Sequence, residues 1–265
     1  MKIAITGSNS LLGIYFTKYF RKKKLKVFNI NKKKDFYLQK KTPFNFRGKK
    51  IDILIHLAHE YSSKSKEVNL VGTQKLFDNA LKNNIKKIIF VSSLSSHRYA
   101  KSLYGKTKFK IEKYCLKTKK IIIVRPGLVF GYSLDKKLVL LKKIISFIPL
   151  IPYFEKNDKF LYSVSIDELI DHIFKIIKKK RDDYLIYNIF NKKKIYFIDL
   201  LNLYAPKKIK VKLPFFVFYY LGLSISKFIY LKSIDSFLGL LKNRNSYKNK
   251  SEKNLFTKKD IIYKR

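Results

Sequence analysis

The alternation of short apolar runs with amphipathic segments most constrains the fold of this 265-residue chain. Apolar runs typical of buried strands occupy residues 2–6, 26–30, 52–58, 88–93 and 121–126. Segments with the helical spacing of apolar side chains lie at residues 11–21, 66–83 and 103–117. Strands and helices that alternate in this way form a parallel sheet with helices on both faces, since crossover connections are right-handed. We therefore predict a doubly wound α/β domain over residues 1–131.

The pattern changes after Gly131, where helical segments dominate. Helices are predicted at residues 135–148, 167–180, 197–204, 214–230 and 233–242. Residues 185–190 are predicted as an isolated strand, and the polar, lysine-rich tail from Asn243 as a surface strap outside the core. These features predict a second, smaller and mainly helical region at residues 132–265, which is interleaved with the first domain through strand 185–190.

The charge of the chain is extreme, with a formal net value of +42 from 60 Lys and Arg against 18 Asp and Glu. Of the basic residues 53 are lysines, whereas specific recognition of phosphates and bases depends on arginine forks. Lys, Asn, Ile, Phe and Tyr are abundant and all have A/T-rich codons, so genome composition explains the charge without selection for nucleic acid. We predict no specific nucleic-acid partner, only salt-sensitive binding of anions.

Metal centres and membrane spans are not expected. Cys115 is the single cysteine, which excludes an intramolecular disulfide and a cysteine-built zinc site. The histidines show no metal-ligand spacing with acidic partners; they are His56, His59, His97 and His172. Residues 213–226 are the most membrane-like segment, but they fall short of the roughly 20 residues that span a bilayer. The first residues lack a signal-peptide pattern, so we expect a cytoplasmic protein. The aromatic cluster at 215–220 is expected to be core or an oligomer face, such as that of a homodimer, and not a base-stacking surface.

The first candidate site is the sequence ITGSNSLLG at residues 5–13, which joins the first predicted strand to the first helix. Gly7 permits a tight turn, a small residue at Ser10 lets backbone approach a pyrophosphate, and Gly13 allows close packing of the helix. The helix begins at Leu11 and Leu12, whose amides are available to phosphate oxygens. Because a strand precedes the motif and a helix follows it, the pattern predicts a dinucleotide-binding loop.

The second candidate site pairs Tyr104 with Lys108, four positions apart and so on one face of a helix. A tyrosine with a pKa of about 10 is a poor proton carrier at neutral pH, and a nearby ammonium lowers that pKa. Such pairs arise by chance in a chain with 19 tyrosines and 53 lysines. The pair is informative because of its position: Tyr104 and Lys108 lie at the start of the helix that follows the strand ending in Ser92 and Ser93.

Together these residues resemble the short-chain dehydrogenase/reductase superfamily, in its extended branch of NAD(P)-dependent epimerases and dehydratases. The motifs that carry the resemblance are ITGSNSLLG at 5–13, IDILIHLAHE at 51–60, VNLVGTQKLFDNALKNNIKKIIFVSS at 68–93, YGKTKFKIEKY at 104–114, VRPGLVFG at 124–131, YSVSIDELIDHIF at 162–174 and YNIF at 187–190. They follow one another in the family's order over residues 1–190. The resemblance implies a Rossmann-type sheet and an NAD or NADP cofactor.

The resemblance also implies roles for individual residues. Ser93, with Ser92 or Ser95 as alternatives, polarises the substrate oxygen. Tyr104 is the acid or base, and Lys108 binds the nicotinamide ribose and tunes Tyr104. Cofactor contacts extend beyond the loop to Asn31, Lys32, Leu57, Ala58 and Pro126. The implied reaction is hydride transfer at a carbon of a nucleotide sugar, as an epimerase, a dehydratase or a ketoreductase.

The chain departs from the family's pattern at several points. Ser10 replaces the middle glycine of the loop. The second strand is followed by Asn31 and Lys32–Lys34 where NAD-dependent members carry an acidic residue, which favours NADP. The segments between Ile30 and Ile51 and between Ser93 and Tyr104 are short. These departures leave open a cofactor-binding member without turnover, with an accessory or structural role. A third hypothesis, binding of anions or membrane surfaces, depends on the net charge and the segment 213–231.

Overall fold

The computed structural model describes residues 1–30, 46, 48–61, 65–100, 102–131, 150–153, 160–180, 184–204, 207, 209–214, 216–217, 220 and 252–259. Its strands are β1 (Lys2–Thr6), β2 (Lys26–Ile30), β3 (Ile53–His56), β4 (Lys87–Val91), β5 (Ile121–Pro126), β6 (Leu128–Phe130), β7 (Leu150–Tyr153), β8 (Phe160–Leu161), β9 (Ser163–Ser165), β10 (Ile186–Asn191), β11 (Ile195–Tyr196), β12 (Ile209–Lys212) and β13 (Glu252–Thr257). Its helices are α1 (Leu11–Lys22), α2 (Ser65–Lys82), α3 (Leu103–Thr118), α4 (Ile166–Lys178) and α5 (Phe197–Tyr204).

Seven strands form one sheet in the order β13-β10-β5-β4-β3-β1-β2, and all of its pairings are parallel. The chain order changes direction at β1, which pairs with β2 on one side and β3 on the other. Open sheets of this kind bind ligands beside such a point, at the carboxyl ends of the strands. The arrangement confirms the predicted doubly wound α/β fold.

The core has two halves, one on each face of the sheet. Ile3 of β1 lies in an apolar cluster with Phe16 of α1 and with residues of α4. Ala4, the next residue, lies in a second cluster with Leu76 of α2 and with residues of α3. Side chains that alternate between the faces of a strand explain why the strands that are buried on both sides are continuous apolar runs. Helices on both faces therefore cover the whole centre of the sheet.

The carboxyl-terminal half contributes more to this sheet than expected. The predicted strand at 185–190 is not isolated, because β10 lies in the main sheet between β5 and β13. The expectation of a surface strap is wrong for residues 252–257, which form edge strand β13 in register with β10. Lysine-rich local sequence does not reveal a strand that is held by pairing with a distant partner. The division of the chain at residue 131 stays a prediction.

Helices α4 and α5 confirm the predictions at 167–180 and 197–204. The predicted helices at 135–148 and 233–242, and most of that at 214–230, lie outside the described residues. Within the described residues, no helix combines the length and the apolar character that crossing a membrane requires.

Candidate functional site

The loop between β1 and α1 is built on two glycines that touch backbone. Gly7 has a φ of +69°, and a Cβ atom there would lie 2.9 Å from the amide nitrogen of Ala58. A Cβ on Gly13 would lie 2.3 Å from the carbonyl oxygen of Gly7. The first contact brings the loop against the segment after β3, and the second brings the first turn of α1 onto the loop. Both positions therefore exclude a side chain for steric reasons, as the motif predicts.

Ser10 has a function that a glycine could not perform. It is the N-cap of α1, and its Oγ accepts a hydrogen bond of 3.1 Å from the amide of Gly13. That bond satisfies one of the amides that lack an intrahelical acceptor, and it leaves the amides of Leu11 and Leu12 for a ligand. Serine at the position of the middle glycine therefore caps the start of α1, but it leaves one fewer amide available to a ligand.

A buried hydroxyl lies in the same loop. Ser8 is 3% exposed, and its Oγ has no hydrogen-bond partner among the described residues. Buried polar groups are normally paired, so an unpaired one next to a helix N-terminus suits an anionic ligand. Together with the glycine cradle, the Ser8 hydroxyl fits the pyrophosphate of a dinucleotide.

The end of β3 is attached to β1 by neutral hydrogen bonds. His56 lies fully buried with Nδ1 at 2.7 Å from Thr6 Oγ1 and Nε2 at 3.1 Å from Thr73 Oγ1 of α2. Burial lowers the pKa of His56 well below its usual range, and the charge of Lys108 lowers it further. The ring is therefore neutral and structural. The amide of Leu57 donates to the Thr6 carbonyl at 3.3 Å, which places this segment beside the loop.

Tyr104 lies at the start of α3, which Ser102 caps by accepting a hydrogen bond from the Gly105 amide. Its ring is parallel to that of Tyr61 at 6.1 Å and meets the edge of His59 at 4.9 Å. Residues 57–61 therefore run from the glycine loop to Tyr104. Burial raises the pKa of Tyr104 well above its usual range, and Tyr61 and Glu112 raise it further.

Lys108 is 2% exposed and lies one helical turn after Tyr104. Its Nζ donates to the Val91 carbonyl at 2.9 Å, and it lies 4.6 Å from the ring centroid of Phe90 and 5.8 Å from that of Tyr104. Burial lowers the pKa of Lys108 to about 7, although Glu112 opposes this effect. The expected lowering of the Tyr104 pKa is wrong for this structure, because burial raises that pKa.

The three candidate serines differ in their partners. Ser92 Oγ donates to the buried carboxylate of Glu112, which occupies it. Ser93 Oγ lies 2.9 Å from Ser95 Oγ and accepts from the Ser95 amide at 3.1 Å. The turn that carries them is held by the Pro126 carbonyl, which accepts from the Leu94 amide at 3.1 Å. Of the three candidate serines, Ser93 and Ser95 are therefore the two whose hydroxyls are not held by a carboxylate.

An ion network beneath this turn escaped the sequence analysis. Glu112 receives two hydrogen bonds from Arg125, at 3.0 and 2.7 Å, and Arg125 also pairs with Glu252 of β13 at 2.8 Å. Asn188 of β10 donates to the other oxygen of Glu252. One signal was present, because an arginine within the apolar run IIIVRP requires a buried counter-charge.

Two of the predicted cofactor contacts, Asn31 and Lys32, lie outside the described residues. The preference for NADP depends on these two residues. Within the part of the chain that the structure describes, no group of three potential metal ligands occurs.

Comparison with known proteins gives a family match and a fold match. The model of the NAD dependent epimerase/dehydratase family matches residues 3–151. No curated protein has significant similarity to the chain.

Three solved structures illustrate the fold match. UDP-glucose 4-epimerase from Thermotoga maritima, solved with UDP-glucose, is 15% identical, with a TM-score of 0.59 over 81% of this chain and 86% of its own. RMD from Pseudomonas aeruginosa, solved with NADPH, is 13% identical, with a TM-score of 0.62 over 80% and 87%. dTDP-glucose 4,6-dehydratase from Bacillus anthracis, solved with NAD, is 17% identical, with a TM-score of 0.61 over 81% and 85%. At these identities the likeness shows the fold alone.

Proposed function

The chain belongs to the NAD dependent epimerase/dehydratase family, whose model matches more than half of it, and we propose that it is an NAD(P)-dependent enzyme that acts on a nucleotide sugar. The reaction is an epimerisation, a dehydration or the reduction of a ketone. One observation carries the proposal: residues 57–61 connect the glycine loop to Tyr104, so the cradle and the Tyr104–Lys108 pair share one edge of the sheet.

The residues proposed to hold the cofactor follow from this arrangement. The loop contributes Gly7, Ser8, Ser10 and Gly13 and the amides of Leu11 and Leu12. Leu57 and Ala58 lie against the loop, and Pro126 lies at the end of β5. Asn31 and Lys32 complete the set, and the lysines after Asn31 favour NADP over NAD. When bound, the nicotinamide supplies hydride transfer at a sugar carbon.

The catalytic residues are Ser93, Tyr104 and Lys108. Because its pKa is raised, the Tyr104 hydroxyl holds its proton at neutral pH and donates it to a substrate oxygen. In the opposite direction Tyr104 must lose that proton, which requires a positive charge nearby. Lys108, one turn away, supplies that charge when it is protonated. Ser93 donates a hydrogen bond to the same substrate oxygen.

A second candidate is a family member that binds the cofactor without turnover. Two observations favour it: the Lys108 ammonium is engaged by the Val91 carbonyl, and the Tyr61 ring covers Tyr104. Both candidates predict a cytoplasmic protein that binds NAD or NADP, and a homodimer stays a prediction for both.

Cofactor binding is tested by isothermal titration of NAD and of NADP at one physiological ionic strength. Wild type is expected to bind at least one of them, and Gly13→Ala is expected to lose binding because its Cβ would overlap the Gly7 carbonyl. The control is Ile14→Ala, a truncation at the next residue of α1, whose side chain is exposed and which adds no atom to the loop. A folded wild type that binds neither dinucleotide would exclude both candidates.

Turnover separates the two candidates. Tyr104→Phe keeps the ring and removes the proton carrier, so it should reduce turnover by roughly 10²–10⁴-fold with cofactor affinity unchanged. Tyr114→Phe is the matched control, because Tyr114 lies on the same helix and donates to Asp78. If a panel of nucleotide sugars yields a substrate and Tyr104→Phe is as active as wild type, the assignment of Tyr104 is wrong. Binding with no turnover on the panel would favour the second candidate.

A further inference from the structure

Two side chains of α3 attach the helix to the end of β4 at consecutive residues. Lys108 donates to the Val91 carbonyl, and Glu112, one turn later, accepts from the hydroxyl of Ser92. Both side chains are nearly inaccessible, with 2% of Lys108 and 1% of Glu112 exposed. These two contacts hold α3 against movement along its axis. They therefore also set the position of Tyr104 relative to the edge of the sheet.

The position of Glu112 is itself held from β5. Arg125 contacts both of its carboxylate oxygens, a two-pronged geometry that fixes the plane of the carboxylate. Arg125 is anchored in turn by Glu252 of β13. Burial by itself disfavours the charged guanidinium, but the two carboxylates raise the pKa of Arg125, so Arg125 stays charged.

Glu112 is also a carboxylate that influences both residues of the catalytic pair. Burial lowers the pKa of Lys108, and Glu112 raises it. Other titratable groups that face Lys108 are His56 of β3, which is neutral, and Tyr104 and Cys115 of α3, whose pKa values burial raises. From β5, Arg125 is ion-paired to Glu112. Glu112 is therefore the one carboxylate among the described groups that act on Lys108.

We propose that Glu112 is a positioning residue, which holds α3 on the end of β4 and places a carboxylate one helical turn from Lys108 at the cofactor site. The inference rests on the proposed function for what Lys108 does, but not for the charge that Lys108 carries. Arg125 and Glu252 serve this role indirectly by holding the carboxylate in place.

The test measures the charge of Lys108 in the free protein. Lysine-selective ¹⁵N labelling gives a signal for each Nζ, and the signal of Lys108 is the one that Lys108→Met lacks. In Glu112→Gln the titration midpoint of Lys108 should fall by about one pH unit or more, because the removed charge favoured the ammonium. Glu252→Gln is the matched control, since it breaks the same network on the far side of Arg125, and its midpoint should stay at the wild-type value.

The outcomes distinguish a residue that acts on Lys108 from one that only supports the fold. If Glu112→Gln leaves the midpoint unchanged, or if both variants shift it equally, the inference is overturned. Should Glu112→Gln not fold because Arg125 is left with one partner, Glu112→Gln combined with Arg125→Met removes the unpaired charge. A smaller downward shift is then expected, because loss of the guanidinium by itself favours the ammonium of Lys108. This measurement needs neither cofactor nor substrate, so it stands even if wild type binds no dinucleotide.

Cofactor affinity provides the second readout. Glu112→Gln should bind the dinucleotide like wild type at acidic pH, where Lys108 is charged in both, and several-fold more weakly above neutral pH. Glu252→Gln should follow wild type at both pH values. Affinity of Glu112→Gln that falls by the same factor at every pH would mean a structural role only.

Discussion

On one face of the sheet, the half under α2 and the half under α3 satisfy their buried polar groups by different kinds of contact. Under α2, the ends of β1 and β3 are joined through the neutral contacts of His56 with Thr6 and Thr73. Under α3, the end of β4 is joined to β5 and to the first residue of β13 through the ions Glu112, Arg125 and Glu252. Each half satisfies polar groups between sheet and helix, but only the second removes full charges from water.

This difference determines which changes each half can tolerate without losing stability. A buried ion network costs a large desolvation energy, which is recovered only while every partner is present. A neutral histidine carries no such cost, but it takes up no proton without breaking its contacts. We therefore expect the charged half to be sensitive to the loss of a partner and the neutral half to be sensitive to acid.

Lys108 lies at the boundary of the two halves. Its ammonium lies over one ring, Phe90, on which the His56 ring stacks at 5.9 Å. The charge of Lys108 lowers the pKa of His56, and Glu112 raises the pKa of Lys108. The proposed catalytic lysine thus couples the neutral half of the sheet to the charged half.

The largest effect is expected from Arg125→Met. It removes the ion-pair partner of the buried Glu112 carboxylate, and breaking a buried pair in this way costs about 3–5 kcal/mol of unfolding free energy. Urea denaturation measures the loss. The double variant Arg125→Met with Glu112→Leu removes both charges and should recover most of it. A double variant as unstable as the single one would show that packing, and not the unpaired charge, holds this half together.

A smaller effect, of about 1–3 kcal/mol, is expected from His56→Leu, because the hydroxyls of Thr6 and Thr73 lose their partner. The pH dependence identifies the cause. Since the native pKa of His56 lies below its unfolded value, its contribution is complete above about pH 6.5 and is lost as the pH falls, at up to about 1.4 kcal/mol per pH unit.

The acid sensitivity of His56 is measured as the difference between wild type and His56→Leu in urea denaturation at several pH values. The difference should shrink below pH 6.5. His172, whose pKa burial also lowers, contributes equally to both proteins and cancels. A difference that stays constant with pH would contradict the assignment of a neutral native His56.

The smallest effect on stability is expected from Lys108→Met, within about 1 kcal/mol of wild type at neutral pH, because methionine fills the same space without desolvating a charge. The native pKa of Lys108 is about 7, below its unfolded value, so wild-type stability should rise with pH above 7 and the variant should lack this rise. Thermal denaturation across that range measures it. A large loss of stability at pH 7 would make Lys108 a structural residue.

Much of the site was predictable from the sequence. Gly7 and Gly13 occupy positions where backbone touches backbone, and Tyr104 and Lys108 lie on one face of a helix after the expected strand. These features depend on spacing along the chain. The alternative roles of Ser92 and Ser93 stayed open because they depend on a partner twenty residues away, Glu112.

The sequence by itself determined the order of strands and helices, their division between two faces and the shape of the glycine loop, because local periodicity and backbone sterics set all three. Only the tertiary structure decided that β13 completes the sheet, that Glu112, Arg125 and Glu252 form one network, and that Tyr104 keeps its proton. These outcomes depend on which distant groups are brought together and on how much water they lose. Both are properties of the folded interior and not of any segment of the chain.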